Sequence, residues 1–480
     1  MKKLLFIILA AALFTSCKKG FLDVNTTPNN PTVVPPSVIL PNTTIGIAFA
    51  NGNDLNRAAS VLVQHTAGVA NQVRDYDLFN LDGAFDNQWN GEIYGGTLNN
   101  LEVLIKDYSV TSPLYSGFAK LEKAYIISLA TDLWGAVPYS QAGKGLLFET
   151  PRFDKQEDIY QGDSALQIQS LFNLVKEGIA DIRKPSLLKP LNDDIVYKGD
   201  TSKWIRMANT LLLKFAIQIS NRNPVLAKST IASVIAGNYY INSNTLDFEV
   251  PFASGVGNRN PIFDFNNNLR TGDMMLSSRL LTLSRSLNDT VRLAKYFTKP
   301  TGQFVAFNNG TTAAAPALAT RSKYNTYLTG TGEAPIRLLT FFQVNFILAE
   351  SALKLGTAGN ANTYYQAGIT ANMQKIGMTA TEISNYFATN PTVVTLTGTL
   401  NEQLQQIITQ KYIAWIGNGI EAYNDYRRTG YPILDLPLNT QGDNPNVIPT
   451  RFPYTPAELA RNPNAPKPRP KTDVKLWFAL

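Results

Sequence analysis

"RLLTFFQVNFILAESALKLG" (residues 337–356) is the stretch from which the fold is read. It reads as a helix with a broad apolar face. Ala349 and Ala352 put small side chains where a neighbouring helix could approach closely. The next segment, "ANTYYQAGITANMQKIG" (361–377), is again helical and carries Ala367. "NEQLQQIITQKYIAWIG" (401–417) and "NGIEAYNDYRRTG" (418–430) continue the series. Paired helices with small contact residues fit stacked hairpins of the tetratricopeptide type, although their spacing is less regular than a strict repeat.

Toward the N-terminus the same pattern recurs over 54–73, 86–108, 112–135, 163–182, 201–220 and 224–237. Pro113 stands near a helix start and Gly135 at its stop. Thr201 or Ser202 is the expected cap of the 201–220 helix, and Gly237 ends the last of the group. Between about 238 and 335 the helical period fades and Asn, Gly, Thr and Phe rise. Short helices are expected there only at 273–287 and 289–297. The fold class is therefore all-α, mainly helical, with tetratricopeptide-like hairpins and a long irregular loop insertion at about 238–335. Long ordered loops on a rigid scaffold commonly carry function. The Pro-rich stretch 451–470 is expected to wrap the surface without a core of its own.

The beginning of the chain has a different character. Met1-Lys2-Lys3 is basic, Leu4 to Phe14 is almost wholly apolar, and Thr15-Ser16 are small. That order is a secretory signal, over residues 1–16. Cys17 follows at once and is the only cysteine of the 480 residues. A lone cysteine at the cleavage point resembles a bacterial lipobox, in which it is lipidated and becomes the first mature residue. Residues 17–42 then read as an extended tether rich in Pro, Asn and Thr, and 43–480 as one helical domain.

Composition narrows the function. Hydrophobic residues make up 44% and charged residues 16%, enough for a large core. The formal charge of +7 is modest and scattered, so nucleic-acid binding is not supported. His65 is the single histidine; it lies in a helical pattern and is read as a packed or capped residue. With one histidine and one acylated cysteine, histidine-rich metal sites and thiol catalysis are poorly supplied, and no metal or cofactor is expected. "DNQWNG" (86–91) starts like a calcium loop but has Thr97 where the closing Glu belongs. "GTGEAP" (330–335) lacks the third glycine of a dinucleotide loop. Carboxylates are plentiful, so a glycosidase pair stays open as an alternative.

Several stretches together resemble the SusD/RagB-like nutrient-binding outer-membrane lipoproteins. They are "FLDVNTTPNNPT" after Cys17, "AYIISLATDLWGAVPYSQA" (124–142), "RLLTFFQVNFILAESALKLG" (337–356), "QKYIAWIGNGIEAYNDYRRTGYP" (410–432), "RFPYTPAE" (451–458) and "KLWF" (475–478). Gln343, Tyr423 and Phe478 depart from the residues common in that family, in ways read as packing changes. The resemblance implies four helical hairpins, a lipid anchor on the outer leaflet of the outer membrane, and binding without catalysis. It also implies a partner, a TonB-dependent SusC-like transporter that receives captured oligosaccharides or peptides. The alternative is a surface-anchored glycoside hydrolase.

Sugar-binding sites set aromatic rings against the apolar face of the sugar and amides or carboxylates against its hydroxyls. "RDYDLFNLDGAFDNQW" (74–89) has that composition, and the family's binding region lies near the start of the same helix. Tyr76, Phe79, Asn80, Phe85, Asp86 and Trp89 are the candidate ligand-binding residues. The opposite reading has Phe79 and Phe85 plugging the core and Trp89 packing on the next helix. Phe263, Phe265, Phe304 and Phe307 in the insertion are further candidates. Trp134, Trp204 and Trp415 read as structural, and Arg427 and Arg428, at helical spacing from Asp425 and Glu421, as an ion pair or a buried arginine network.

Overall fold

The computed structural model describes residues 34–480; Cys17, the signal and the first part of the tether lie outside the described residues. The tether ends sooner than expected. Residues 36–42 belong to a helix, Pro36–Gly52, because proline's fixed φ suits a first turn and because Leu40, Ile47 and Ala48 have a core to enter. Thr43 and Thr44 both donate to the buried carboxylate of Glu122, at 2.6 Å each, which pins this helix to the one at Pro113–Trp134.

The expected 54–73 helix is two helices with a strand between them. Asp54–Leu62 stops before Gln64, which takes a φ of +59°, and Thr66–Gly68 then pairs antiparallel with Met274–Leu276. His65 is therefore packed but not helical. It is fully buried, its Nε2 lies 3.0 Å from the Tyr412 carbonyl, and burial lowers its pKa to about 3. The expected 86–108 helix begins with π winding over Gln88–Leu98 and continues as an α-helix over Asn99–Tyr108.

Close helix packing follows the small residues. Pro113–Trp134 lies against Leu171–Ile182, and a Cβ on Gly117 would come within 2.8 Å of the Gly178 carbonyl. Phe341–Leu355 lies against Ala361–Lys375 with Gly368 under the Phe346 ring. Thr201–Gln218 pairs with Pro224–Gly237, and Leu400–Ala414 with Gly419–Thr429. The first of these is capped by Asp200 instead of Thr201 or Ser202, since its carboxylate accepts from the Ser202 and Lys203 amides. The opening residues of the 337–356 stretch are not helical: Ile336–Leu339 is a strand paired with Phe248–Val250, and Thr340 caps the helix that follows.

The 238–335 insertion is mostly irregular, with short helices at Ser278–Ser286 and Thr290–Tyr296 close to those expected. Its strands pair with residues on both sides of it, which ties it into the helical frame. The C-terminal stretch corrects the sequence reading. Phe452, Tyr454 and Phe478 are buried, and the Trp134 indole donates to the Pro453 carbonyl at 2.8 Å. One hydrophobic cluster runs from Ile39 to Tyr454.

Trp134, Trp204 and Trp415 are all buried, as read. Arg428 pairs with Glu350 and Asp425. Arg427 is buried and bonds to the Asp132 carbonyl, at 2.5 Å, and Glu421 pairs with Lys214. Gln343 donates to Glu421 at 2.7 Å, Tyr423 to the Pro449 carbonyl at 2.5 Å, and the Arg427 guanidinium lies 5.1 Å from the Phe478 ring. The three departures from the family pattern are thus filled by packed or hydrogen-bonded side chains.

Candidate functional site

The 74–89 segment turns its rings inward. Phe79 and Phe85 adopt φ of +68° and +73°, a left-handed geometry uncommon for such side chains. Phe85 stacks on Phe452 at 4.5 Å and lies 5.7 Å from Tyr76. Trp89 meets Trp134 edge-on at 5.1 Å and Tyr94 at 4.9 Å, with Phe153 and Tyr454 beyond. Tyr76, Phe79, Phe85 and Trp89 are each no more than 3% exposed. They offer no open ring face, which corrects the expectation that they form a sugar platform.

The polar members of the set position other elements. Asn80 donates to the Gln441 side chain at 2.8 Å. Asp86 accepts from the Ala457 amide at 3.4 Å, and the Trp89 indole donates to Glu458 at 3.3 Å. Asp86 and Trp89 thereby hold the short helix Pro456–Arg461 beside the π-helical turn.

Between those two elements lies a groove of about 630 Å³, with Trp89 in its lining. Its other wall is the loop after Val137–Pro138, a strand paired with Phe153–Asp154. The base of that loop is fastened. The Gln141 side chain accepts from the Arg152 amide at 2.9 Å, the Tyr94 hydroxyl donates to the Pro138 carbonyl at 3.0 Å, and Asn462 bridges the Pro151 carbonyl and Glu458 at 2.8 and 2.9 Å. The tip, "GLLFE" (145–149), stands free of these bonds. Leu146 is 89% exposed and Phe148 40% exposed. Phe148 is thus an aromatic ring that borders the groove with open surface. Asn90, Asn99, Glu149, Glu458 and Arg461 supply hydrogen-bonding groups around it.

Sequence reading missed this loop. Its signal was present: three large apolar residues in a loop, preceded by Gly143 and Gly145, both with positive φ. The insertion's aromatics contribute elsewhere. Phe307 is buried, while Phe263, Phe265 and Phe304 are half-buried and lie 5.6, 3.9 and 5.6 Å from the cationic groups of Arg259, Arg57 and Lys299.

Perturbed carboxylates lie away from the groove. Burial pushes Glu122 up to about 8, and Asp77, Asp132 and Asp247 each up to about 7. Each is engaged in structural hydrogen bonds: Asp77, for example, accepts from the amides of Gly68 and Gly310 and from Asn309. None of the four lines the groove.

No curated protein matches this chain. Among solved structures, a chitin-binding protein is similar at 24% identity and a TM-score of 0.78, over 93% of this chain and all of that one. A chitin-binding SusD homologue from Flavobacterium johnsoniae is similar at 21% identity and a TM-score of 0.76, covering 93% of this chain and 98% of that one. A SusD homologue from Bacteroides fragilis gives 21% and 0.74, covering 89% and 94%. Residues 28–455 match a SusD-like family model described as starch-binding, associating with outer membrane. With that match spanning most of its length, the chain belongs to the SusD-like family.

Proposed function

We propose that this protein is a cell-surface lipoprotein, anchored through Cys17 to the outer membrane, that captures oligosaccharides and passes them to a TonB-dependent SusC-like transporter. The observation that carries the binding reading is the groove itself, in which the exposed ring of Phe148 stands among amides and carboxylates. An aromatic face covers the C–H side of a pyranose, and the amides and carboxylates take its hydroxyls. Membership of a family described as starch-binding supports the same ligand class, as do the chitin-binding neighbours. The described residues include no helix long and apolar enough to cross a membrane, so attachment in this reading falls to the lipid on Cys17. One acyl chain holds only marginally and stable anchoring needs more than one.

A glycan and peptide array followed by calorimetry tests this. We expect saturable binding of a neutral glycan with no product formed, weakened by Phe148→Ala. Capture of peptides alone would replace the ligand class, and release of shortened glycan would favour the glycosidase reading. The transporter half is tested by mild extraction of a tagged protein with cross-linking. One large TonB-dependent β-barrel partner is expected, and recovery of the protein alone counts against delivery.

A further inference from the structure

The end of the molecule from which the N-terminal tether departs carries an apolar surface that no described residue covers. Leu187 is 79% exposed and Leu191 65% exposed, on the loop "RKPSLLKPL" (183–191) that follows the helix Leu171–Ile182, and Leu188 between them is exposed as well. Val110, 90% exposed, stands beside them on the turn before Pro113–Trp134. Hydrogen bonds hold the two segments together. The Leu187 amide donates to the Thr111 carbonyl at 2.9 Å, and the Leu188 amide to the Ser112 hydroxyl at 3.2 Å. The Leu191 amide donates to the Asp193 carboxylate at 2.9 Å. The leucines are therefore displayed on a fastened loop, and little further ordering is needed for them to meet a partner.

The tether leaves beside this loop. The Tyr108 hydroxyl donates to the Val34 carbonyl at 3.1 Å, the Tyr108 and Tyr115 rings lie 6.5 Å apart, and the Tyr115 hydroxyl donates to Asp193 at 2.7 Å. Val34, Val38 and Val103 extend the apolar surface along a groove between the helices Pro36–Gly52 and Asn99–Tyr108. Residues 18–33 separate Cys17 from Val34, and a chain of that length reaches at most about 60 Å. A lipid on Cys17 keeps this end within that distance of the bilayer, at a high effective concentration.

Charge names the occupant. Lys106, Arg183, Lys184 and Lys189 are exposed around the apolar residues. Lys184 pairs with Asp181; among the described residues no ion pair engages the other three. Asp107 is the exposed anion on this border, so cations outnumber it. Exposed leucines flanked by free cationic groups have the composition of an interfacial anchor: the apolar side chains enter the headgroup boundary and the cations meet phosphate. Protein–protein interfaces are depleted in lysine, which favours lipid over a protein partner.

We propose that this face docks on the anionic lipid surface of the membrane, as a second contact beside the acyl anchor. The proposal rests on the lipoprotein reading for the approach of this end to the bilayer, while its chemistry belongs to the face itself. A single acyl chain holds marginally, and the leucine loop with its cations adds affinity and fixes which end of the protein meets the membrane.

The test uses protein beginning at residue 18, without signal or lipid, which contains the whole described fold. Its outcome does not depend on acylation of Cys17, which fatty-acid labelling decides separately. The probes are vesicles of phosphatidylcholine and of an equal mixture of phosphatidylcholine and phosphatidylglycerol, read by co-sedimentation. Saturable binding to the mixed vesicles is expected, about fivefold or more tighter than to the neutral ones and weakening as salt rises. Leu187→Asp combined with Leu191→Asp should weaken it about tenfold or more, and Lys189→Gln about fivefold. Val225→Asp, at an exposed apolar position on the helix Pro224–Gly237, should leave it unchanged. Thermal unfolding checks that each variant folds; were the double variant to lose its native transition, Lys189→Gln and the salt dependence still decide. Failure to bind the mixed vesicles overturns the proposal, as does binding that the leucine and lysine variants leave intact. Cross-linking through Leu187→Cys that joins two copies of this chain, or the chain to a β-barrel protein, without vesicle binding overturns it in favour of a protein occupant.

Discussion

At the scale of single residues, the structure separates rings that hold the fold from rings that can meet a ligand. Trp89 is closed in by Trp134, Tyr94, Phe153 and Tyr454, so Trp89→Ala is expected to lower unfolding stability by about 3–5 kcal/mol in denaturant titration, the usual cost of emptying a large aromatic site. Phe148→Ala should leave the unfolding midpoint unchanged and weaken glycan binding about fivefold in calorimetry, since about half of a ring's contact area is at stake. The composition of 74–89 did not distinguish these roles. Aromatics among Asp and Asn look alike whether a turn aims them out or in, and the left-handed φ at Phe79 and Phe85 that aims them in is set by the surrounding packing. Glu122 gives a pH signature. Burial raises its carboxyl from 4.5 to about 8 in the folded protein. Between those values the folded state binds the proton and the unfolded state has lost it, so the contribution is favourable below about 4.5 and fades as pH rises toward 8. Glu122→Gln should flatten that part of the stability–pH curve, and an unchanged slope would show that another group carries it.

At the scale of elements, the helical hairpins were legible because small residues and apolar period are local signals. What was not legible was where the period is interrupted. The strand at Thr66–Gly68 exists because Met274–Leu276 lies alongside it, and nothing within 54–73 announces a partner two hundred residues away. The cap of Thr201–Gln218 was read onto Thr201 or Ser202, whereas it is Asp200 that accepts from two amides. Asp200→Ala should cost about 1 kcal/mol of stability, measured by urea unfolding, whereas Ser202→Ala should cost less. Helix packing gives a sharper case. A Cβ on Gly419 would sit 2.3 Å from the Ser60 amide nitrogen, at the contact between Gly419–Thr429 and Asp54–Leu62. Gly419→Ala is expected to destabilise by about 1–3 kcal/mol despite alanine's better helix propensity, because backbone must move to admit the methyl group.

At the scale of the whole molecule, the family resemblance, spread over stretches from both ends of the chain, gave the architecture, and the match over residues 28–455 agrees with it. The candidate groove was not legible as a place, since it is assembled from the π-helical turn, the 138–151 loop and the helix Pro456–Arg461. Only Trp89 among the sequence candidates lines it. Anchoring belongs to this scale as well. Fractionation of cells carrying Cys17→Ser should move the protein out of the membrane fraction, and equal fatty-acid labelling of both forms would count against lipidation.

The C-terminal stretch has a consequence for synthesis. Trp134 donates its indole proton to a carbonyl 319 positions later, and Phe85 stacks on Phe452. The aromatic cluster that joins the helical frame to the groove therefore cannot close until nearly the entire polypeptide has emerged. Contacts of such long sequence separation form late, because the chain between them must first be ordered. Until then the faces of Phe85 and Trp134 that meet Phe452 stay uncovered, which makes the unfinished chain a natural client for holding chaperones. Chains truncated after residue 450 should be recovered as aggregates or chaperone-bound, with near-ultraviolet circular dichroism lacking the signal of the packed tryptophans.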